Sequence, residues 1–166
     1  MTMYKAYNCA MGTAQVVMAG TSLTAGAKVT IQLATPAGTK IRIVEWGISF
    51  SGSAAGTPSF CELVQNGTAT TLGTAHSTTT IQPFGDATDA CPLTMSTSTS
   101  AYGSTIPASA TVDKTFDAQQ VGPTSQYIKQ WPLGREPVMV ASKYLQLRVN
   151  TAATLTAIAY VDFEVC

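Results

Sequence analysis

Apolar and polar residues alternate with period two through much of this chain, the pattern of strands that lay one face on a core. In residues 28–33, Val29, Ile31 and Leu33 point one way and Lys28, Thr30 and Gln32 the other. Further on, Leu145, Leu147 and Val149 alternate with Tyr144, Gln146, Arg148 and Asn150. The final segment, TLTAIAYVDFEV, sets Leu155, Val161, Phe163 and Val165 on one face, and Thr156, Ile158, Tyr160, Asp162 and Glu164 on the other. KIRIVEWGISF differs, being apolar on both faces, with Val44, Trp46, Ile48 and Phe50 opposite Ile41 and Ile43. It reads as a central strand with Trp46 buried, and Gly47 marks a bulge or a close backbone approach.

Weaker strands are predicted at 15–18, 60–65, 78–82, 111–116 and 127–130, separated by turn signals such as TPAGTK, SGSAAGTP and GPTS. QNGT reads as an Asn-Gly hairpin turn. Apolar residues nowhere recur at helical spacing for long. The expected fold is all-β: an antiparallel β-sandwich, jelly-roll-like, of about eight strands with long loops. It occupies residues 21–166 as one domain, after an N-terminal arm over residues 1–20. Residues 83–110, rich in Ser, Thr, Ala and Pro, have two readings: a contact arm, or a cover for one open end of the sandwich.

Composition narrows the function. Nine basic residues balance nine acidic ones and only 11% of the chain is charged. No Lys/Arg cluster occurs, so phosphate-driven nucleic-acid binding is not expected. No apolar run approaches the roughly 20 residues of a membrane helix, and the first twenty residues are too interrupted for a signal-peptide core. The expectation is synthesis in the cytoplasm with no membrane partner. A neutral surface of Thr, Ser, Ala and Gly suits a protein covered by neighbours. Cys9, Cys61, Cys91 and Cys166 are scattered without a CxxC and are expected as free thiols, Cys61 acting as a small core hydrophobe.

The sequence offers no catalytic constellation, no metal set and no cofactor motif. The one histidine, His76, lies in TLGTAHSTTT, where a solvated side chain is expected. Neither a GxSxG elbow nor a phosphate-binding glycine loop is present. Asp162 and Glu164 share a strand face at about 7 Å; they read as a solvated rim, with calcium or a sugar as the functional alternative. Tyr102, Tyr127 and Trp131 are candidates for stacking on a carbohydrate.

One segment remains without chemistry: FDAQQVGPTSQYIKQWPLGREP, residues 116–137. Together with ATPAGTKIRIVEWGISFSGSAAGTP and ASKYLQLRV, it resembles small structural proteins of tailed actinobacteriophages, which are head-decoration or minor virion components. The resemblance runs from about residue 28 to the end and leaves residues 83–110 aside. It implies a non-enzymatic virion protein on the capsid surface, with the major capsid protein as partner. Copies of itself are a further expected partner, with a trimer at local three-fold positions and a two-fold dimer, the commoner arrangement of soluble oligomers, both open. A tail or head-fibre component, or a displayed carbohydrate-binding module, is the alternative. Interfaces favour aromatic and Arg anchors in a neutral polar rim, which marks Gln119, Gln120, Gln126, Tyr127, Gln130, Trp131, Leu133 and Arg135 as the expected contact residues. The competing reading has Arg135 and Glu136 pin the loop to its own sandwich while Trp131 caps the core.

Overall fold

A computed structural model describes residues 2–53, 55–78, 80–86, 89–95, 97–108 and 111–166. In chain order the strands are β1 (Met3–Tyr7), β2 (Thr21–Leu23), β3 (Gly26–Ala34), β4 (Ile41–Ser51), β5 (Ser59–Asn66), β6 (Thr74–Ala75) and β7 (Ile81–Pro83). They continue as β8 (Ala101–Thr105), β9 (Val112–Val121), β10 (Gln126–Gln130), β11 (Val138–Met139), β12 (Tyr144–Thr151) and β13 (Leu155–Val165). Two antiparallel sheets face each other. One runs β10-β4-β13-β1-β7, with β11 also on β4 and β2 on β13; the other runs β6-β8-β3-β12-β5-β9. The described residues thus form an all-β sandwich, as the alternation implies. Its strand count exceeds eight because β2, β6, β7 and β11 are fragments of two or three residues.

The core lies between the sheets. Ile31, Leu33, Leu63, Leu145 and Leu147 on one side meet Ile43, Trp46, Ile48, Val161 and Phe163 on the other. The two-faced pattern of β4 has a different cause from the one its sequence suggests. Against β13, Ile43 pairs with Phe163 but Glu45 pairs with Asp162, so Val44 is an extra residue. A one-residue slip inverts side-chain parity. Ile41 and Ile43 before it, and Trp46, Ile48 and Phe50 after it, therefore all enter the one core. Gly47 is a close approach rather than the bulge itself: a Cβ there would lie 2.6 Å from Tyr160 Cε1.

No described strand pairs with the next one along the chain. QNGT is accordingly not a hairpin turn. Asn66 is fully buried, its Oδ1 accepts the Thr68 N–H at 3.0 Å, and the chain leaves the sheet. That departure covers the outer face of the second sheet, so Gln32 and Gln146 are buried although their parity points them away from the core. Gln146 Nε2 donates to Gln32 Oε1 at 2.7 Å, and Gln32 Nε2 donates to the Thr70 and Thr99 carbonyls at 2.9 and 2.8 Å.

Two segments sit differently from the sequence expectation, and a third takes one of its two readings. Residues 3–7, read as part of an arm, form β1 between β13 and β7; the alternation of Tyr4 and Ala6, both buried, accounts for it. Residues 15–18 form no strand and are mostly exposed. The described part of 83–110 packs as a cover: Cys91 and Leu93 join the core, and β8 pairs with β3 and β6.

Replacing Gly47 with Ala forces the new methyl into the Tyr160 ring. The expected cost is about 1–3 kcal/mol of overpacking, read as a lower urea midpoint with an unchanged m-value. A midpoint equal to wild type would show that Tyr160 moves aside freely.

Candidate functional site

The two sheets end unequally on their two flanks. On one flank the edges are β6, β7 and β2, of two or three residues each. On the other they are β9, of ten residues, β10, of five, and the two-residue β11. Very short edge strands are a usual defence against unwanted strand pairing. The β9 edge is defended only in its first half, where the register with β5 slips twice and Lys114 and Asp113 project. From Ala118 to Val121 it is regular, uncharged and largely exposed.

Asp117 closes the mouth of this flank. It pairs across from Leu63, which places it on the core-facing side of β9. Its Oδ2 accepts the indole N–H of fully buried Trp46 at 3.1 Å and the phenol O–H of Tyr127 at 2.9 Å. One carboxylate thus ties β9 of one sheet to β4 and β10 of the other. The Tyr127 ring also packs on Trp46 at 5.3 Å between centroids. Burial, reinforced by the Asp117 hydrogen bond and charge, pushes the Tyr127 hydroxyl up to about 12.

Beyond β10 the chain makes a pinned turn. Trp131 N–H donates to the Val44 carbonyl at 3.1 Å, and Ile43 N–H to the Pro137 carbonyl at 2.9 Å, so both feet stand on the bulged part of β4. Between them Arg135 N–H donates to the Pro132 carbonyl at 2.9 Å, and Gly134 sits at φ +81°. This is a tight turn with glycine at its left-handed position. It presents Leu133, which is 95% exposed.

The expected contact residues therefore divide. Gln119, Gln120, Gln126, Gln130, Leu133 and Arg135 are exposed along this flank. Tyr127 and Trp131 are half-buried against the core. Trp131 caps the sandwich, while the loop is pinned through backbone hydrogen bonds, not through Arg135. Glu136 accepts the Gly134 N–H within the turn at 2.8 Å. Asp117 was not legible as a site residue. The signal was its place on the inward parity of β9, where an acid needs donors.

Groups considered for chemistry are engaged elsewhere. His76 is fully buried, not solvated, because β8 and the turn after His76 pack on it: its ring lies 5.1 Å from Tyr102 and its Nδ1 3.3 Å from Thr80 Oγ1. Burial lowers its pKa to about 4. Asp162 is likewise buried rather than a solvated rim, 3.2 Å from Lys5 Nζ, and Glu164 lies 3.4 Å from Arg42. Burial raises Asp162 to about 6, with Lys5 opposing and Glu45 assisting. Among the described residues no group of three or more His, Cys, Asp or Glu is placed to hold a metal ion. All four cysteines are free; burial raises the Cys61 thiol to about 12.

Across the outer face of the first sheet runs an open groove of about 210 Å³, lined by Tyr7, Ser49, Gln126, Ile128, Ile158 and Tyr160. Tyr160 is pinned there. Its hydroxyl donates to Glu45, its ring lies against Gly47, and Lys5 Nζ stands 4.2 Å from the ring centroid. With backbone on one side and an ammonium near the ring, it offers no open platform for a sugar. Tyr102 and Tyr127 have their rings on His76 and Trp46.

No family model, curated protein or solved structure matches the chain.

Two predictions follow from these buried groups. Asp117→Ala strands the Trp46 indole N–H and frees Tyr127; stability should fall by about 2 kcal/mol, and spectrophotometric titration should move Tyr127 down toward an ordinary tyrosine. An unchanged Tyr127 titration would show that burial alone sets it. His76 and Asp162 titrate in the same window with opposite signs. The lowered His76 makes the fold lose stability as pH falls from about 6.5 to about 4, because the unfolded chain takes up the proton first. The raised Asp162 makes it gain stability as pH falls from about 6 to about 4, because the folded chain does. Asp162→Asn should therefore steepen acid destabilisation in that range, and His76→Phe should flatten it, both read from urea midpoints against pH. Parallel profiles for the two variants would contradict the assignment.

Proposed function

We propose that this chain is a non-enzymatic structural protein of a phage virion: a capsid decoration protein that binds the outer surface of the major capsid protein lattice. The observation that carries the reading is the unequal pair of flanks. The edges at β6 and β7 are blunted, whereas the β9–β10 flank keeps a long strand edge and exposed uncharged glutamines. A surface that is neutral, regular and pre-organised loses little entropy on docking. The resemblance of residues 34–58 and 116–137 to actinobacteriophage structural proteins supplies the setting.

The mechanism is additive. Each copy contacts the lattice weakly through the flank, and many copies share the same particle, so avidity exceeds any single contact. A protein that binds the assembled head and not its dispersed subunits stabilises the head by mass action. Binding of this kind requires no group to be activated.

The test is immunogold labelling of purified virions, with co-sedimentation of the purified chain on heads that lack it. Label spread over heads is expected. Ala118→Lys with Gln120→Lys, which puts charge on the outward-facing positions of the plain half of the β9 edge, should weaken head binding about tenfold or more while leaving the thermal midpoint unchanged. Label confined to tails would move the chain to a tail or head-fibre role. No label anywhere on the particle would overturn the virion reading and make a glycan-binding screen the next step.

A further inference from the structure

Two features of the first sheet complement each other, and neither is used within one copy. The first is the Leu133 knob: a 95% exposed leucine on a turn whose two feet are hydrogen-bonded to β4. A free leucine at that exposure loses apolar contact with nothing to replace it, and here the backbone that carries it is held rather than loose. The second is the open groove beside β10, about 210 Å³, lined by Ile128, Ile158, Ser49 and the pinned Tyr160 among others. Ile128 is itself 54% exposed.

Charge agrees with shape. Arg135 follows Leu133 on the knob, and Glu45 bonds Tyr160 at the groove; among the described residues neither forms an ion pair. The remaining lining is uncharged, and the one ammonium beside Tyr160, that of Lys5, is already paired with Asp162, so Glu45 is the unpaired charge that faces Arg135 there. Position agrees as well. Leu133 follows Ile128 by five residues, so knob and groove lie within about 17 Å of each other on the same edge. Knob and groove on one patch allow two copies to exchange them reciprocally about a two-fold axis, the isologous arrangement in which each contact occurs twice.

We infer that this edge is a homotypic contact: Leu133 of one copy seats in the Tyr7–Ile128–Ile158–Tyr160 groove of a second copy, with Arg135 directed to Glu45 across the interface. The inference does not depend on the virion reading. It leaves the Ala118–Val121 edge of β9, on the other sheet, free for a different partner.

The experiment uses the purified full-length chain alone. Sedimentation equilibrium from low micromolar to near-millimolar concentration should show a monomer–dimer equilibrium. Leu133→Asp should weaken it at least about tenfold with an unchanged thermal midpoint, since the side chain it replaces is exposed. In a Cys166→Ser background, a mixture of Leu133→Cys and Ile128→Cys chains should form a cross-link between copies on mild oxidation. A chain that stays monomeric throughout overturns the inference. So does a dimer indifferent to Leu133→Asp, and so does a monomer whose Leu133 is needed only for binding heads.

Discussion

One carboxylate holds the open flank of this sandwich together. Trp46 is a large, fully buried side chain whose indole N–H needs an acceptor, and the core around it is apolar. Asp117 supplies that acceptor from the opposite sheet and takes the Tyr127 hydroxyl as well. Because β10 and the feet of the Leu133 turn hang on β4, the position of Trp46 relative to β9 fixes the whole flank. The opposite flank needs no such link. Its edges are two and three residues long, and the cover that includes Cys91 and Leu93 closes on the core.

The topology explains why so many polar side chains are buried. With no hairpin among the described strands, every ladder closes over a long intervening loop, the arrangement that folds slowly and risks register errors. Glutamines buried between β3, β12 and the loop from Asn66 answer that risk. Gln32 and Gln146 satisfy each other and two loop carbonyls in one register only, so a slipped strand would strand several polar groups. Asn8 does the same for the first sheet, donating to the Ala157 carbonyl and accepting the Ala159 N–H.

The sandwich was legible because period two survives in β3, β12 and β13, where Leu33, Leu147 and Val161 enter the core as their parity requires. What the sequence concealed was connectivity and anything created by it. The two-faced pattern of β4 came from a bulge at Val44, which local pattern does not separate from burial on both faces. His76 looked solvated because its neighbours are Thr and Ser, yet Tyr102 of β8 packs on its ring. Asp117 looked solitary because its donors lie seventy-one residues before it and ten after it. The flank itself was visible in part. Its glutamines, Leu133 and Arg135 are exposed, while Tyr127 and Trp131, equally eligible by residue type, were taken by the core.

The proposed role requires that the β9–β10 flank be the surface that meets the capsid. Hydrogen–deuterium exchange of the chain, free and bound to heads, tests this directly. The prediction is added protection of the amides of Ala118–Val121, with β6 and β7 unchanged. Protection confined to β6 and β7, with Ala118–Val121 exchanging as in the free chain, would contradict it.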